Sequence, residues 1–203
     1  RFNERLKTMT IGMPWDEGAR ITPMPEPGKI KYLTDLVADA KANGAEVVNP
    51  GGGIVDRSLL HPAVLYPVNE KMRVFSEEQF GPVVPIVPFK DIETPIHYII
   101  ESRYGQQMSI FSNDAAEVAS LVDPMVNQVC RVNVNCLCQR GPDVSPFTGR
   151  KDSAEGTLSV GDALRCFSIR TLVAAKGTPR NKALLSDIAR NHKSNFLSTD
   201  FIM

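Results

Sequence analysis

The chain has 203 residues, 23 basic and 23 acidic side chains and 42% hydrophobic residues, the make-up of an ordinary globular domain. Its formal net charge of zero gives no electrostatic reason to expect nucleic acid or a membrane surface as a partner, and no run of about 18 apolar residues reads as a membrane span. Four cysteines, Cys130, Cys136, Cys138 and Cys166, are too few for a disulfide-stapled scaffold of this length, so a reducing, cytoplasmic setting is the expectation.

The first residue is Arg1 and no signal-peptide pattern follows it, so the start is expected to be a cut. Residues 1–30 are turn-rich, with Gly12, Pro14 and Gly18 around Trp15 and more prolines and glycines between Pro23 and Gly28. Ile30, Leu33, Leu36, Val37 and Ala40 then recur at three- and four-residue spacing, which predicts an amphipathic helix over 29–43. Asn43-Gly44 stops it, and Ala45 to Val48 reads as a short strand. Helix, glycine cap and strand in succession mark an α/β domain. Pro50-Gly51-Gly52-Gly53 is expected to be a plain turn rather than a phosphate cradle, because no helix start follows it.

Pro62 to Tyr66 is strand-like. Val83 to Phe89 is apolar and β-rich, but Pro85 and Pro88 confine it to an edge or a broken strand. A helix is expected over 92–101, ended by Tyr104-Gly105, then a strand over 108–111. A helix over 114–122 follows, capped by Asn113 or Asp114, and residues 129–135 alternate as a buried strand does. A helix over 159–166 and a final strand over 168–175 complete a domain of residues 1–176. Residues 177–203 form an extension: Gly177-Thr178-Pro179-Arg180 is a linker, and Leu184, Leu185, Ile188 and Ala189 share one face of a short helix.

Local chemistry alone says little about function. There is no Ser/His/Asp set and no Cys-x-x-Cys pair, and His61, His97 and His192 are scattered. Cys136-Leu137-Cys138 comes nearest to a metal site, but a structural zinc takes four ligands at wider spacing, so packed, reduced cysteines are expected and no metal.

Larger pieces of sequence say more. Glu77-Glu78-Gln79-Phe80-Gly81-Pro82-Val83 resembles the Glu-Glu-x-Phe-Gly-Pro signature of the aldehyde dehydrogenase superfamily. The flanking pieces fall in the family's order: Gly12-x-Pro14-x-Asp16, Lys41-Ala42-Asn43-Gly44-Ala45, Tyr104-Gly105, Met108 to Asp114, Val132-Asn133-Val134-Asn135, and Ser145 to Ser153. The likeness covers nearly all of residues 1–176. The loop Gln139-Arg140-Gly141-Pro142-Asp143 resembles the arginine loop of one branch, the NADP-dependent, non-phosphorylating glyceraldehyde-3-phosphate dehydrogenases.

The resemblance implies the C-terminal, catalytic-domain part of such a subunit: α/β, an open, mostly parallel sheet with helices on both faces. It implies that Glu78 accepts hydrogen bonds from the nicotinamide-side ribose of NADP (or NAD), with Phe80 packed nearby. Arg140 would hold a substrate phosphate through its planar fork of donors. Phe147 would wall the aldehyde pocket against water. Without the resemblance Glu77 and Glu78 read as a solvated acidic pair, Arg140 as a loop charge, and Phe80 and Phe147 as core. The family's nucleophilic cysteine and its glutamate lie earlier in the chain than Gly12, and none of the four cysteines matches, so no catalytic residue is assigned.

The implied reaction is oxidation of an aldehyde, best glyceraldehyde 3-phosphate to 3-phosphoglycerate. The implied partners are the small aldehyde, the rest of the same subunit, and further copies in a homodimer or homotetramer, joined where the strand around Thr171 to Ala175 adds to a neighbour's sheet. Two alternatives stay open: an enzyme for an unphosphorylated aldehyde, and a non-catalytic structural or assembly relative. Three departures motivate the last, namely Cys130 where the family has Gly, Ser153-Ala154-Glu155-Gly156 where it has Ser-Gly-x-Gly, and Gln106 where Leu is usual.

Overall fold

Leu33, Leu36 and Ala40, spaced by helical turns, are fully buried on one face of a helix, and the fold's main core is built on that face. A computed structural model describes the chain except residues 142–144, 158, 170, 196 and 198–203. In chain order the elements are α1 (Phe2–Lys7), α2 (Lys29–Ala42), β1 (Glu46–Val47), β2 (Val55–Asp56), β3 (Leu59–Leu60), β4 (Ala63–Tyr66) and β5 (Val83–Pro85). They continue as α3 (Glu93–Glu101), β6 (Tyr104–Gly105), β7 (Gln107–Ile110), α4 (Ala115–Met125), β8 (Arg131–Val134), β9 (Arg150–Lys151), α5 (Val160–Cys166) and α6 (Pro179–Arg190).

The first half packs α2 on a three-stranded sheet of order β1-β4-β5, in which β4 runs antiparallel to β1 and parallel to β5. Leu33, Leu60, Leu65, Val68, Met72, Val74 and Val83 form its core with Ala40 and Ala45. β5 is an edge strand, where prolines are tolerated because no ladder donor is needed on the outer side. The α2 helix ends as expected: Gly44 takes φ +100°, and the Ala45 amide returns to the Ala40 carbonyl at 2.9 Å.

In the second half β7 and β8 pair in parallel, with Gln107 opposite Arg131 and Ile110 opposite Val134. Between them α4 starts on Asp114, whose carboxylate accepts from the Ala116 and Glu117 amides. The family-like segment after residue 145 returns to α3. The Lys151 ammonium donates to the Ile99, Ile100 and Ser102 carbonyls at 2.7–2.9 Å, where the helix leaves carbonyls without partners. Arg103 pairs with Asp152, and the Ser153 hydroxyl accepts from the Gly105 amide.

Several expectations need correction. Tyr104-Gly105 forms β6 opposite β9 rather than a simple helix stop. The strand expected over 129–135 forms as β8, and its buried position is the polar Asn133. The strand expected over 168–175 does not form among the described residues. A strand needs a neighbour for its amides and carbonyls, and this segment has none here: Ile169 and Leu172 are 97% and 88% exposed. Turn-rich residues 1–30 also carry α1, which buries no residue. Among the described residues no helix is long and apolar enough to cross a membrane, and no group of three His, Cys, Asp or Glu side chains is placed to hold a metal.

Candidate active site

The two glutamates of the signature do different work. Glu77 is structural: Arg73 Nε and Nη2 donate to its carboxylate at 2.7 and 2.9 Å, across one turn of chain. That guanidinium holds the Glu77 carboxyl below the ordinary carboxylate range. The Tyr32 hydroxyl, on α2, lies 3.2 Å from Glu77 Oε2 and 3.1 Å from the Glu78 carbonyl oxygen, so the helix fixes the backbone on which Glu78 sits. Partial burial first, and then the Glu77 charge, raise the Tyr32 hydroxyl's pKa. Glu78 itself is exposed and turns toward a cleft.

Phe80 and Gly81 sit in a tight turn against α2. Phe80 has φ +39°, an uncommon conformation for a residue with a side chain, and its ring is 74% exposed. The Lys29 ammonium stands 5.9 Å from that ring's centre. A Cβ on Gly81 would lie 2.5 Å from Cδ1 of the fully buried Leu33, so the turn closes onto the core only with glycine there. Gln79 Nε2 donates to the Val83 carbonyl at 3.2 Å and completes the turn.

The cleft has a volume of about 1060 Å³ and runs between this turn, α3, α4 and strands β6 and β7. Glu78, Phe80, Tyr98, Met108, Phe111 and Cys138 are among its walls. Tyr98 ties α3 to the signature side: its hydroxyl donates to the Phe75 carbonyl at 3.0 Å, and its ring meets Phe75 edge-on at 4.9 Å. Burial raises the Tyr98 hydroxyl's pKa.

The other two expected residues form a second pair. The Arg140 guanidinium sits 4.6 Å from the centre of the Phe147 ring, and residues 142–144, between them in sequence, lie outside those described. Phe147 borders a hollow shared with Gln106, Gln107, Cys130, Arg131 and Gln139. Gln106 and Gln107 border both this hollow and the large cleft, so the two pairs stand on either side of one wall.

Sequence reasoning missed the polar residues behind that wall. Buried Asn133 accepts from Arg131 Nε at 3.0 Å and donates to Gln107 Oε1 and the Met108 carbonyl. Gln107 Oε1 also accepts the Gln139 amide at 3.1 Å. Arg131 Nη1 reaches the carbonyls of Gln139, Arg140 and Gly141 at 3.0, 3.4 and 2.8 Å. A polar residue on the inward face of an otherwise apolar strand, as in Val132-Asn133-Val134, was the one available signal.

The Aldehyde dehydrogenase family model matches residues 1–173. The NADP-dependent glyceraldehyde-3-phosphate dehydrogenase of Nicotiana plumbaginifolia is 30% identical over 180 residues, which are 88% of this chain and 35% of that protein. Its namesake from Streptococcus equinus is 31% identical over 173 residues, 85% of this chain and 34% of that protein. Among solved structures, the NADP-dependent glyceraldehyde-3-phosphate dehydrogenase of Bacillus halodurans, complexed with NADP, is similar with a TM-score of 0.74 and 34% identity, over 80% of this chain and 33% of that one. The chain spans about a third of the length of the curated relatives it matches. With the signature turn, the cleft and a family match over most of its length, the chain belongs to the aldehyde dehydrogenase family.

Proposed function

We propose that this chain is part of an NADP-dependent aldehyde dehydrogenase that oxidises glyceraldehyde 3-phosphate to 3-phosphoglycerate. The observation that carries the reading is the Arg140 guanidinium stacked 4.6 Å over Phe147. The stack holds a permanent cation against an aromatic ring, which suits a ligand with a phosphate at one end and an uncharged carbonyl at the other.

The residues present fit a nicotinamide dinucleotide. Glu78 offers an exposed carboxylate and Phe80 an exposed ring to the same cleft, and the backbone under both is fixed by Tyr32 and Leu33. Glu78 would accept from two ribose hydroxyls at once, and Phe80 would exclude water beside the ring. NADP when bound supplies the two-electron oxidant. The thiolate nucleophile and the glutamate that activates water belong to the rest of the subunit in this reading. Assembly as a homodimer or homotetramer goes with it, supported by the exposed apolar residues Phe167, Ile169 and Leu172. A cytoplasmic setting goes with it too, supported by four free cysteines.

Arg140→Leu in the intact subunit tests the reading. We expect kcat/KM for glyceraldehyde 3-phosphate to fall by roughly 100-fold, with a far smaller change for propionaldehyde. Equal losses on both aldehydes would sink the phosphate assignment and favour an unphosphorylated substrate.

A further inference from the structure

We infer that Arg131 is a specificity-determining positioning residue: it holds the Gln139–Gly141 backbone so that Arg140 meets a phosphate at the edge of the Phe147 wall. The inference rests on the proposed function and adds to it a residue that touches neither substrate nor cofactor.

Arg131 opens β8, directly opposite Gln107 in the parallel ladder. Its stem is therefore set by the sheet. Its head is planar and its donors point in set directions. Nε is used on Asn133 Oδ1, a buried acceptor that is itself anchored on Gln107 and the Met108 carbonyl. With Nε fixed, Nη1 is aimed at one place, and there it meets three consecutive carbonyls, those of Gln139, Arg140 and Gly141. Three successive carbonyls converge on one nitrogen only if the chain wraps around it. The wrap is what turns the residue between them, Arg140, outward onto Phe147.

A second tether acts on the same loop from the same wall, since Gln107 Oε1 accepts the Gln139 amide. The loop is thus held through both its carbonyls and an amide, and both tethers converge on Asn133. No apolar anchor replaces them: Leu137 is 79% exposed, and residues 134–141 are all exposed. With so little buried surface the loop keeps its shape chiefly through polar contacts, which also include Cys138 Sγ against Ser109 Oγ and Asn133 Nδ2. The arrangement also brings a second guanidinium beneath the loop. Its Nε and Nη1 are engaged by Asn133 and the loop carbonyls, which makes it a support of the loop in this reading, with Arg140 as the phosphate contact.

A loop displaced by about 1 Å can cost a positioned group as much as 100-fold in rate. The expected consequence is a loss of selectivity for the phosphate rather than a loss of chemistry. The experiment uses the intact subunit and compares Arg131→Met, Arg131→Lys and Arg140→Leu on glyceraldehyde 3-phosphate and propionaldehyde, with inorganic phosphate as a competitive probe. Arg131→Met keeps the stem and removes every donor. It should lower the ratio of kcat/KM values, phosphorylated over unphosphorylated, by roughly ten- to thirtyfold, mainly through KM, and weaken inhibition by inorganic phosphate in parallel. Arg131→Lys keeps the charge and one donor cluster without the fork, and should recover part of the ratio, leaving a deficit of about threefold. Should the Met variant fail to fold, the Lys variant reads the same ratio at smaller amplitude.

If Arg140→Leu removes phosphate selectivity while both Arg131 variants keep it, the inference is overturned and the proposed function stands. Equal losses on both aldehydes in Arg131→Met, with a KM unchanged for each, also overturn it, since they indicate a general structural role. If Arg140→Leu leaves the selectivity intact, the proposed function is overturned and this inference falls with it.

Discussion

Around Glu78 and Phe80 the framework is apolar, and around Arg140 and Phe147 it is polar. The signature turn rests on α2 through Leu33, fully buried, and on a core whose members all lie between Leu33 and Val83. The arginine loop rests on β7 and β8 through Gln107, Arg131 and Asn133. Packing fixes position by volume, tolerates no added atom and is insensitive to pH. A hydrogen-bond network fixes position by direction and fails when one partner is left without another. The two sides of the candidate site should therefore break in different ways.

The largest effect is expected on the apolar side. Leu33→Ala removes a fully buried side chain and should cost about 2–5 kcal/mol, read from the midpoint of urea unfolding of the intact subunit. Gly81→Ala places a methyl against the same leucine and should cost about 1–3 kcal/mol. The double variant sharpens the comparison. The cavity left by Leu33→Ala admits the new methyl, so the two costs should sum to more than the double variant shows. Strict additivity would mean that the methyl does not meet Leu33, and the close contact would not be the reason for glycine at this turn.

The same contrast explains what could be read from the sequence. α2 and its Gly44 cap were legible because an apolar stripe at 3.6-residue spacing, followed by Asn-Gly, has one local solution. The Asp114 cap of α4 and the edge placement of β5 were legible for similar reasons: a side chain or a missing donor acts within a few residues. Glu78, Phe80, Arg140 and Phe147 could be named only through resemblance to a family, because nothing local marks an exposed carboxylate or arginine as a ligand contact. Arg131, Gln107, Lys151 and Tyr32 were not legible at all. The partners of Tyr32, Gln107 and Lys151 lie far along the chain, 52 residues away for Lys151 and Ile99, and even for Arg131, whose partners are within 10 residues, a long polar side chain carries no periodic signature of whom it will meet. The strand expected over 168–175 is not formed among the described residues of this single chain for the opposite reason. Its apolar pattern is real, but a strand is a property of a pair.

On the polar side, Asn133→Ala removes one acceptor and the donations to Gln107, Met108 and Cys138 at a buried position and should cost about 1–3 kcal/mol. Its signature is local. Amide exchange should quicken at Gln139, whose N–H is held by Gln107, while the α2 amides keep their protection. Uniform loss of protection across both regions would show that the two frameworks are one cooperative unit and that the contrast between them does not hold.

The smallest effect is expected from the ion pair on the apolar side, Arg73 with Glu77, and pH isolates it. The Arg73 guanidinium holds the Glu77 carboxyl below its ordinary range, so the folded state binds this proton less readily than the unfolded chain. For a carboxylate depressed in this way, the stabilisation is fully present above the unfolded pKa, near ~4.3. It is lost as pH falls through the lower folded value. Both partners are partly exposed, so solvent screening keeps the contribution under about 1 kcal/mol. Glu77→Gln should accordingly be less stable than the parent at neutral pH by that small amount, and the difference should close as pH drops below ~4. The difference should also shrink in 1 M salt, where charges are screened beyond about 3 Å. A gap that persists unchanged at low pH and high salt would mean that Glu77 acts through its neutral hydrogen-bond geometry to Tyr32, and that the signature turn is held by packing and direction together rather than by packing with a marginal ion pair.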